Sequence, residues 1–192
     1  MIDGKWSHTG AVLAGGQSTR FGSPKHQLTL SNGATFLESV AGRLEQVCRE
    51  VVVVGSAESD FRRIPDLRRG TGPLGGIEAL LASGRDTEYL VCPVDMPLLT
   101  TGLLRRLATT QGSAVTILGI EGSDRMETLP VRIGSTALPM VRSALDDGHL
   151  DLHSLWAELG FAAVMVPSGE APTLLNINTV GDYEKLRGLG LL

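Results

Sequence analysis

The stretch Ala11–Gln27, AVLAGGQSTRFGSPKHQ, decides how this chain is read. It runs a short apolar segment, Ala11–Ala14, straight into two glycines and spaces Arg20, Gly22 and Lys25 behind them. A brief, continuous apolar run bounded by glycine is the pattern of a parallel strand covered on both faces. The loop that follows leaves the strand's carboxyl end, where open α/β sheets bind their ligands. Gly15 and Gly16 let backbone N–H groups come close to a ligand. Arg20 adds a planar fork of donors and Lys25 a mobile point charge. The combination suits a triphosphate; the plainer reading is a strand-to-helix turn carrying two solvated cations.

Working outward, Val51–Gly55, Tyr89–Val94, Ala114–Gly119 and Ala162–Val166 repeat the short apolar pattern, and Thr128–Ile133 is a weaker strand candidate. Between them lie helical periodicities. In residues 34–48, Phe36, Leu37, Val40, Leu44 and Val47 recur at three and four, with Thr35 and Glu38 spaced for a capping box. Residues 73–84 give a second helix that stops at Gly84, and residues 101–112 a third capped by Thr100 or Thr101. Residues 137–148, 151–160 and 180–190 supply three more. Such alternation predicts an α/β fold with right-handed crossovers and a mainly parallel sheet covered on both faces. No linker or repeat interrupts it, so one domain over residues 1–192 is expected.

The composition fits. With 192 residues, 42% hydrophobic and 20% charged, the chain can bury a sizeable core without disulfides. Cys48 and Cys92 lie in apolar runs and read as small hydrophobes rather than as a redox pair. A net charge of −4 counts against broad nucleic-acid binding, though a nucleotide needs only a few well-placed cations. No signal peptide or membrane span is visible, and a cytoplasmic protein is expected. His8, His26, His149 and His153 are scattered without metal or triad spacing.

The opening loop matches neither the Walker A pattern nor the Gly-x-Gly-x-x-Gly dinucleotide fingerprint. It does resemble the signature loop of the nucleotidyltransferases typified by molybdenum cofactor guanylyltransferase: L-A-G-G-x-S-x-R-[MF]-G, two or three residues, then Lys. In that family the loop wraps the nucleoside triphosphate and the Lys contacts its phosphates. The resemblance therefore implies that Leu13, Ala14, Gly15, Gly16, Arg20, Gly22 and Lys25 belong to a nucleotide site. It spans residues 9 to about 187 and implies a Rossmann-like three-layer α/β/α sandwich of the nucleotide-diphospho-sugar transferase type.

Three further motifs follow in the order the family has them. Cys92–Thr100, CPVDMPLLT, puts Asp95 at the end of a buried strand, on the same sheet edge as the glycine loop. One carboxylate with phosphate oxygens and water is a common Mg²⁺ environment; the alternative is a cap for the helix near Thr100, which lies five residues on. The family's C-D-x-P stretch holds Mg²⁺ at this point. In Asp66–Ile77, DLRRGTGPLGGI, Gly75 and Gly76 near a helix start would leave N–H groups open to anions or base edges, or the segment is a surface loop with a tight entry turn. It resembles the family's G-P-L-A-G-I motif, which helps form the nucleotide pocket. The family also has an acidic nucleotide contact shortly before that motif, for which Asp66 is the candidate. In Leu174–Leu186, LLNINTVGDYEKL, Asn176 and Asn178 alternate along a short strand, so both amides face one side. They orient phosphate or metal-bound water, or simply pin a loop. The family's stretch is N-[VI]-N-T-P-x-D-L, with Pro where this chain has Val180.

The resemblance implies GMP transfer from GTP to a molybdopterin acceptor with Mg²⁺, release of pyrophosphate, and a molybdoenzyme or cofactor-delivery protein as partner, with no nucleic acid and no membrane. Asp95, Lys25 and Arg20 carry the chemistry in that reading. The region Asp124–Gly134, DRMETLPVRIG, inverts the family's Pro-Leu order at Leu129-Pro130, so acceptor identity stays open. Arg125 and Arg132 either meet an acceptor phosphate there or are solvated surface. Three other readings remain: a CTP-dependent molybdopterin or sugar/polyol-phosphate nucleotidyltransferase, a non-catalytic nucleotide-binding accessory protein, and a redox Rossmann enzyme.

Overall fold

A computed structural model describes residues 6–15, 25–188 and 190. Its strands are β1 (Trp6–Leu13), β2 (Cys48–Val54), β3 (Arg62–Ile64), β4 (Glu88–Pro93), β5 (Val115–Ile120), β6 (Met126–Gly134) and β7 (Phe161–Val166). They form one sheet in the order β3-β2-β1-β4-β6-β5-β7. Every pairing is parallel except the two made by β6, which runs antiparallel to β4 and β5.

The apolar runs are explained by what covers the sheet. On β1, Val12 faces one core while Ala11 and Leu13 face the other; on β2, Val51 and Val53 oppose Val52 and Val54. Helices α1 (Phe36–Glu45), α3 (Thr101–Thr109) and α6 (Val180–Gly188) contribute to the first core, and α2 (Gly72–Ala82), α4 (Leu138–Asp146) and α5 (Leu152–Leu159) to the second. A strand buried on both sides has no polar face, so period-two alternation disappears from its sequence. The result is the three-layer α/β/α sandwich that the sequence predicts.

Helix ends follow the local chemistry. Thr35 Oγ1 accepts from Glu38 N at 3.1 Å while Glu38 Oε2 accepts from Thr35 N at 2.7 Å, a complete capping box for α1. Thr100, rather than Thr101, caps α3 by accepting from Leu103 N at 3.2 Å. Gly84 takes φ +62° just beyond α2, the left-handed conformation that ends many helices. Cys48 and Cys92 are buried and form no disulfide, and burial pushes the Cys92 thiol well up. No helix among the described residues is long and apolar enough to cross a membrane.

Two strands differ from expectation. β3 is short and carries Arg62 and Arg63 at the sheet margin, so no apolar run announces it. The weak candidate at 128–133 is the nine-residue β6, and its reversed direction breaks the otherwise parallel order.

Candidate functional site

Because β1 to β4 are parallel, Leu13, Val54, Ile64 and Pro93 finish on one edge of the sheet. β6 runs the other way and so starts on that edge, bringing Met126–Leu129 to it. The backbone stays tied just past the strands: Ala14 N donates to Val54 O at 2.9 Å, Gly55 N to Ile64 O at 2.9 Å and Val94 N to Leu13 O at 3.1 Å.

Glycines let three segments converge there. Gly55 has φ +112°, and a Cβ on it would stand 2.6 Å from both N and Cα of Gly15. A Cβ on Gly15 would lie 3.1 Å from Asp66 Oδ2, and one on Gly76 would lie 3.6 Å from Asp66 Oδ1. The Asp66 carboxylate is thus seated between the end of β1 and the second turn of α2. Although the residue as a whole is exposed, packing of its carboxylate against this seat desolvates it in part and raises its pKa above the usual aspartate range. Leu13 lies beneath, its Cδ2 3.1 Å from the position a Gly76 Cβ would take.

One expectation is corrected. Gly75 and Gly76 do not leave open N–H groups, because α2 already begins at Gly72 and both glycines lie beyond its first turn. They are packing positions instead. A Cβ on Gly75 would collide with Thr71 Oγ1, and one on Gly76 would press on Leu13 and Val54. The open donors of this helix start are those ahead of Gly75, Pro73 having none.

Asp95 follows β4 and is partly buried. Its carbonyl accepts the N–H of Ile177 at 2.9 Å, which brings the Asn176–Asn178 segment alongside. That segment is not a strand. Its alternation comes from Ile177, fully buried in the core, with Asn176 and Asn178 exposed on either side. Asp182 Oδ2 accepts from Thr179 N at 2.8 Å and from Asn178 N at 3.0 Å, while Thr179 Oγ1 accepts from Asp182 N at 3.1 Å. This capping box starts α6 without the family's proline, so Val180 is a harmless departure. Among the described residues no three His, Cys, Asp or Glu side chains gather into a metal cluster. Asp95 brings one carboxylate to this edge, the donor type that a hard cation combines with phosphate oxygens and water.

Gly16, Arg20 and Gly22 lie outside the described residues, as does the side chain of Lys25, whose backbone opens a 3-10 turn, Lys25–Gln27. On the far side of the edge, Arg125 pairs with Glu127 at 2.6 Å, and Trp156 Nε1 holds Thr128 O at 3.0 Å. Arg132 cannot meet an acceptor. It is buried near the opposite edge, bound to Glu88 Oε1 at 2.5 Å, Ser113 O at 2.7 Å and Thr116 Oγ1 at 3.2 Å. His8 also finds a partner there, with Nδ1 2.7 Å from Asp86 Oδ1. Gly55 and Ile177 are the site-building residues that sequence reasoning missed; only Gly55, which closes an apolar run, left a signal.

Residues 10–163 match the family model described as a MobA-like NTP transferase domain. The chain is 32% identical over 183 residues to a molybdenum cofactor guanylyltransferase of Xanthomonas euvesicatoria, covering 93% of each protein. It is 30% identical to a probable molybdenum cofactor guanylyltransferase of Chloroflexus aggregans, covering 92% of this chain and 91% of that one. Among solved structures, molybdopterin-guanine dinucleotide biosynthesis protein A from Archaeoglobus fulgidus aligns with TM-score 0.76 at 24% identity, covering 95% and 98% of the two chains. A 2-C-methyl-D-erythritol 4-phosphate cytidylyltransferase from Thermus thermophilus aligns with TM-score 0.67 at 19% identity, again covering 95% and 98%. These two structural likenesses speak for the fold alone.

Proposed function

The chain belongs to the MobA-like NTP transferase family and is a nucleotidyltransferase, and from that premise we propose that it transfers GMP from GTP to a molybdopterin-type acceptor. The relatives' names support the acceptor class. The observation that carries the base is the Asp66 carboxylate, seated between Gly15 and Gly76 at the strand edge. An ionised carboxylate offers two acceptor oxygens side by side. Guanine presents its N1–H and its exocyclic amino group side by side; cytosine presents an amino group beside an acceptor nitrogen. The carboxylate therefore favours guanine.

In the transfer, an oxygen of the acceptor's phosphate attacks the α-phosphorus of GTP. The new P–O bond forms as the bond to the β-phosphate's bridging oxygen breaks, and pyrophosphate leaves with that electron pair. The attacking phosphate is already ionised at neutral pH, so no general base is required. Gly15 and Gly16, through their backbone N–H groups, together with Arg20 and Lys25 would neutralise the triphosphate and offset the charge gathering on pyrophosphate. Asp95, with Asn176 and Asn178 beside it, would hold Mg²⁺. When bound, Mg²⁺ supplies Lewis acidity and a template for both phosphates. The partner that receives or delivers the molybdopterin product belongs to the same proposal.

Calorimetric titration with GTP, CTP, ATP and UTP, each with Mg²⁺ and with EDTA, tests this reading. Metal-dependent binding of GTP in preference to the other three is expected. A preference for CTP would overturn the base assignment, and a folded protein that binds none of the four would overturn the function.

A further inference from the structure

Arg68 lies two residues beyond Asp66, and its guanidinium forks onto Glu78 of α2. Nε donates to Oε2 at 2.9 Å and Nη2 donates to Oε1 at 3.3 Å. Glu78 is 3% exposed, and a carboxylate so buried persists only when it is paired. Arg142 of α4 adds a second cation at 3.4 Å. The remaining guanidinium nitrogen of Arg68 donates to Asp146, at the end of α4, at 2.6 Å. No step of the transfer uses any of these groups.

Among the described residues, little besides the Asp66 seat and this ion pair holds the segment. Of residues 65–70 only Arg68 is not exposed, and Leu67 turns 58% of its surface to solvent. The loop therefore has no apolar anchor of its own. It rests on the glycine floor of α2, where a Cβ on Gly75 would come within 3.8 Å of Arg68 O. One side of this short loop carries the carboxylate that faces the nucleotide, and the other is tied to a buried ion pair in the helix.

We propose that Glu78 acts through Arg68 as a positioning residue, holding the Asp66 loop in its binding geometry so that nucleotide affinity depends on an ion pair the nucleotide never touches. The inference rests on the nucleotide reading of the Asp66 seat. A loop released from Arg68 samples other conformations, and apparent affinity falls by the fraction of time it is competent. Chemistry on nucleotide already bound is left as it was.

Glu78→Gln keeps the side chain's size and removes its charge. The expected result is a Kd for Mg²⁺–GTP and a KM for GTP raised about tenfold, as for a loop competent a tenth of the time, with kcat unchanged. Amide hydrogen exchange at residues 66–70 should quicken. In an Asp66→Asn background the same change should weaken GTP binding no further, because Glu78 works through Asp66. Arg68→Lys keeps the charge but loses the fork, and should show the same loss in smaller measure; it carries the test if Glu78→Gln does not fold. Wild-type GTP affinity in the folded variant, or an equal loss with and without Asp66, overturns this proposal alone. A wild-type protein that binds no triphosphate brings down the nucleotide reading and this proposal with it.

Discussion

Gly55 and Gly15 meet backbone to backbone, so closely that a β-carbon on Gly55 would stand 2.6 Å from the Gly15 nitrogen. The contact joins the ends of β2 and β1, and Gly55 also sits at φ +112°. Gly55→Ala is therefore opposed twice, by its conformation and by its neighbour. The substitution should cost about 1–3 kcal/mol, read as a fall in Tm of several degrees, together with weakened GTP binding. An unchanged Tm would show that the two strand ends part easily.

Asp66 should show a conflict between stability and binding. Partial desolvation raises its carboxyl pKa, so the folded state holds the proton more tightly than the unfolded one. By sign, the charged form works against folding: stability is fullest below the ordinary aspartate range and declines as pH rises through the raised pKa. Asp66→Asn is expected to raise Tm at pH 7 while lowering GTP affinity. In the wild type, GTP affinity should decline as acidification protonates Asp66, beginning at a higher pH than an ordinary aspartate would give. Titration calorimetry between pH 7 and pH 4 would check it; a flat profile would count against contact between this carboxylate and the base.

Asp95→Ala should lower turnover by roughly 10²–10³-fold, the scale for one electrostatic stabiliser. The Asp95 carbonyl that binds Ile177 is backbone and survives the substitution. Turnover within a few-fold of wild type would move the metal role to another group.

Asp86 offers the opposite case, a residue of stability at the edge far from the site. Burial pushes its pKa up, but hydrogen bonds from His8, the Thr87 N–H and Thr9 outweigh that and leave it lowered. A lowered carboxylate contributes stability above its ordinary range and loses it as pH falls through the folded pKa. Asp86→Ala should cost about 1–3 kcal/mol at pH 7 and make acid unfolding less steep, with GTP affinity unchanged. Thermal scans across pH together with one GTP titration suffice; altered binding would mean that the two edges communicate.

Much of this architecture was legible because it rests on local rules. Val51–Val54 and Tyr89–Cys92 lack alternation because both sheet faces are covered, and Thr35 with Glu38 spells its own cap. What stayed hidden depends on contacts between distant residues. Nothing local distinguishes Arg132, buried on Glu88 at one edge, from Arg125, beside Glu127 at the other. Nor does sequence place the start of α2 at Gly72, which turns Gly75 and Gly76 from anion binders into a floor for a loop. β3 escaped notice because a short marginal strand needs no apolar run.

The bond between Ile177 and Asp95 has a consequence for the chain as it is being made. Strands β1 to β4 and the Asp66 seat are complete once Pro93 has emerged, whereas the Asp95 loop waits for a segment far downstream. A ribosome-bound chain halted before residue 177 would carry the Asp66 seat without the tie on the Asp95 loop. On the proposed reading, grasp of the nucleotide precedes the ability to use it, because the Asp95 loop gains its tie only after residue 177 has been made.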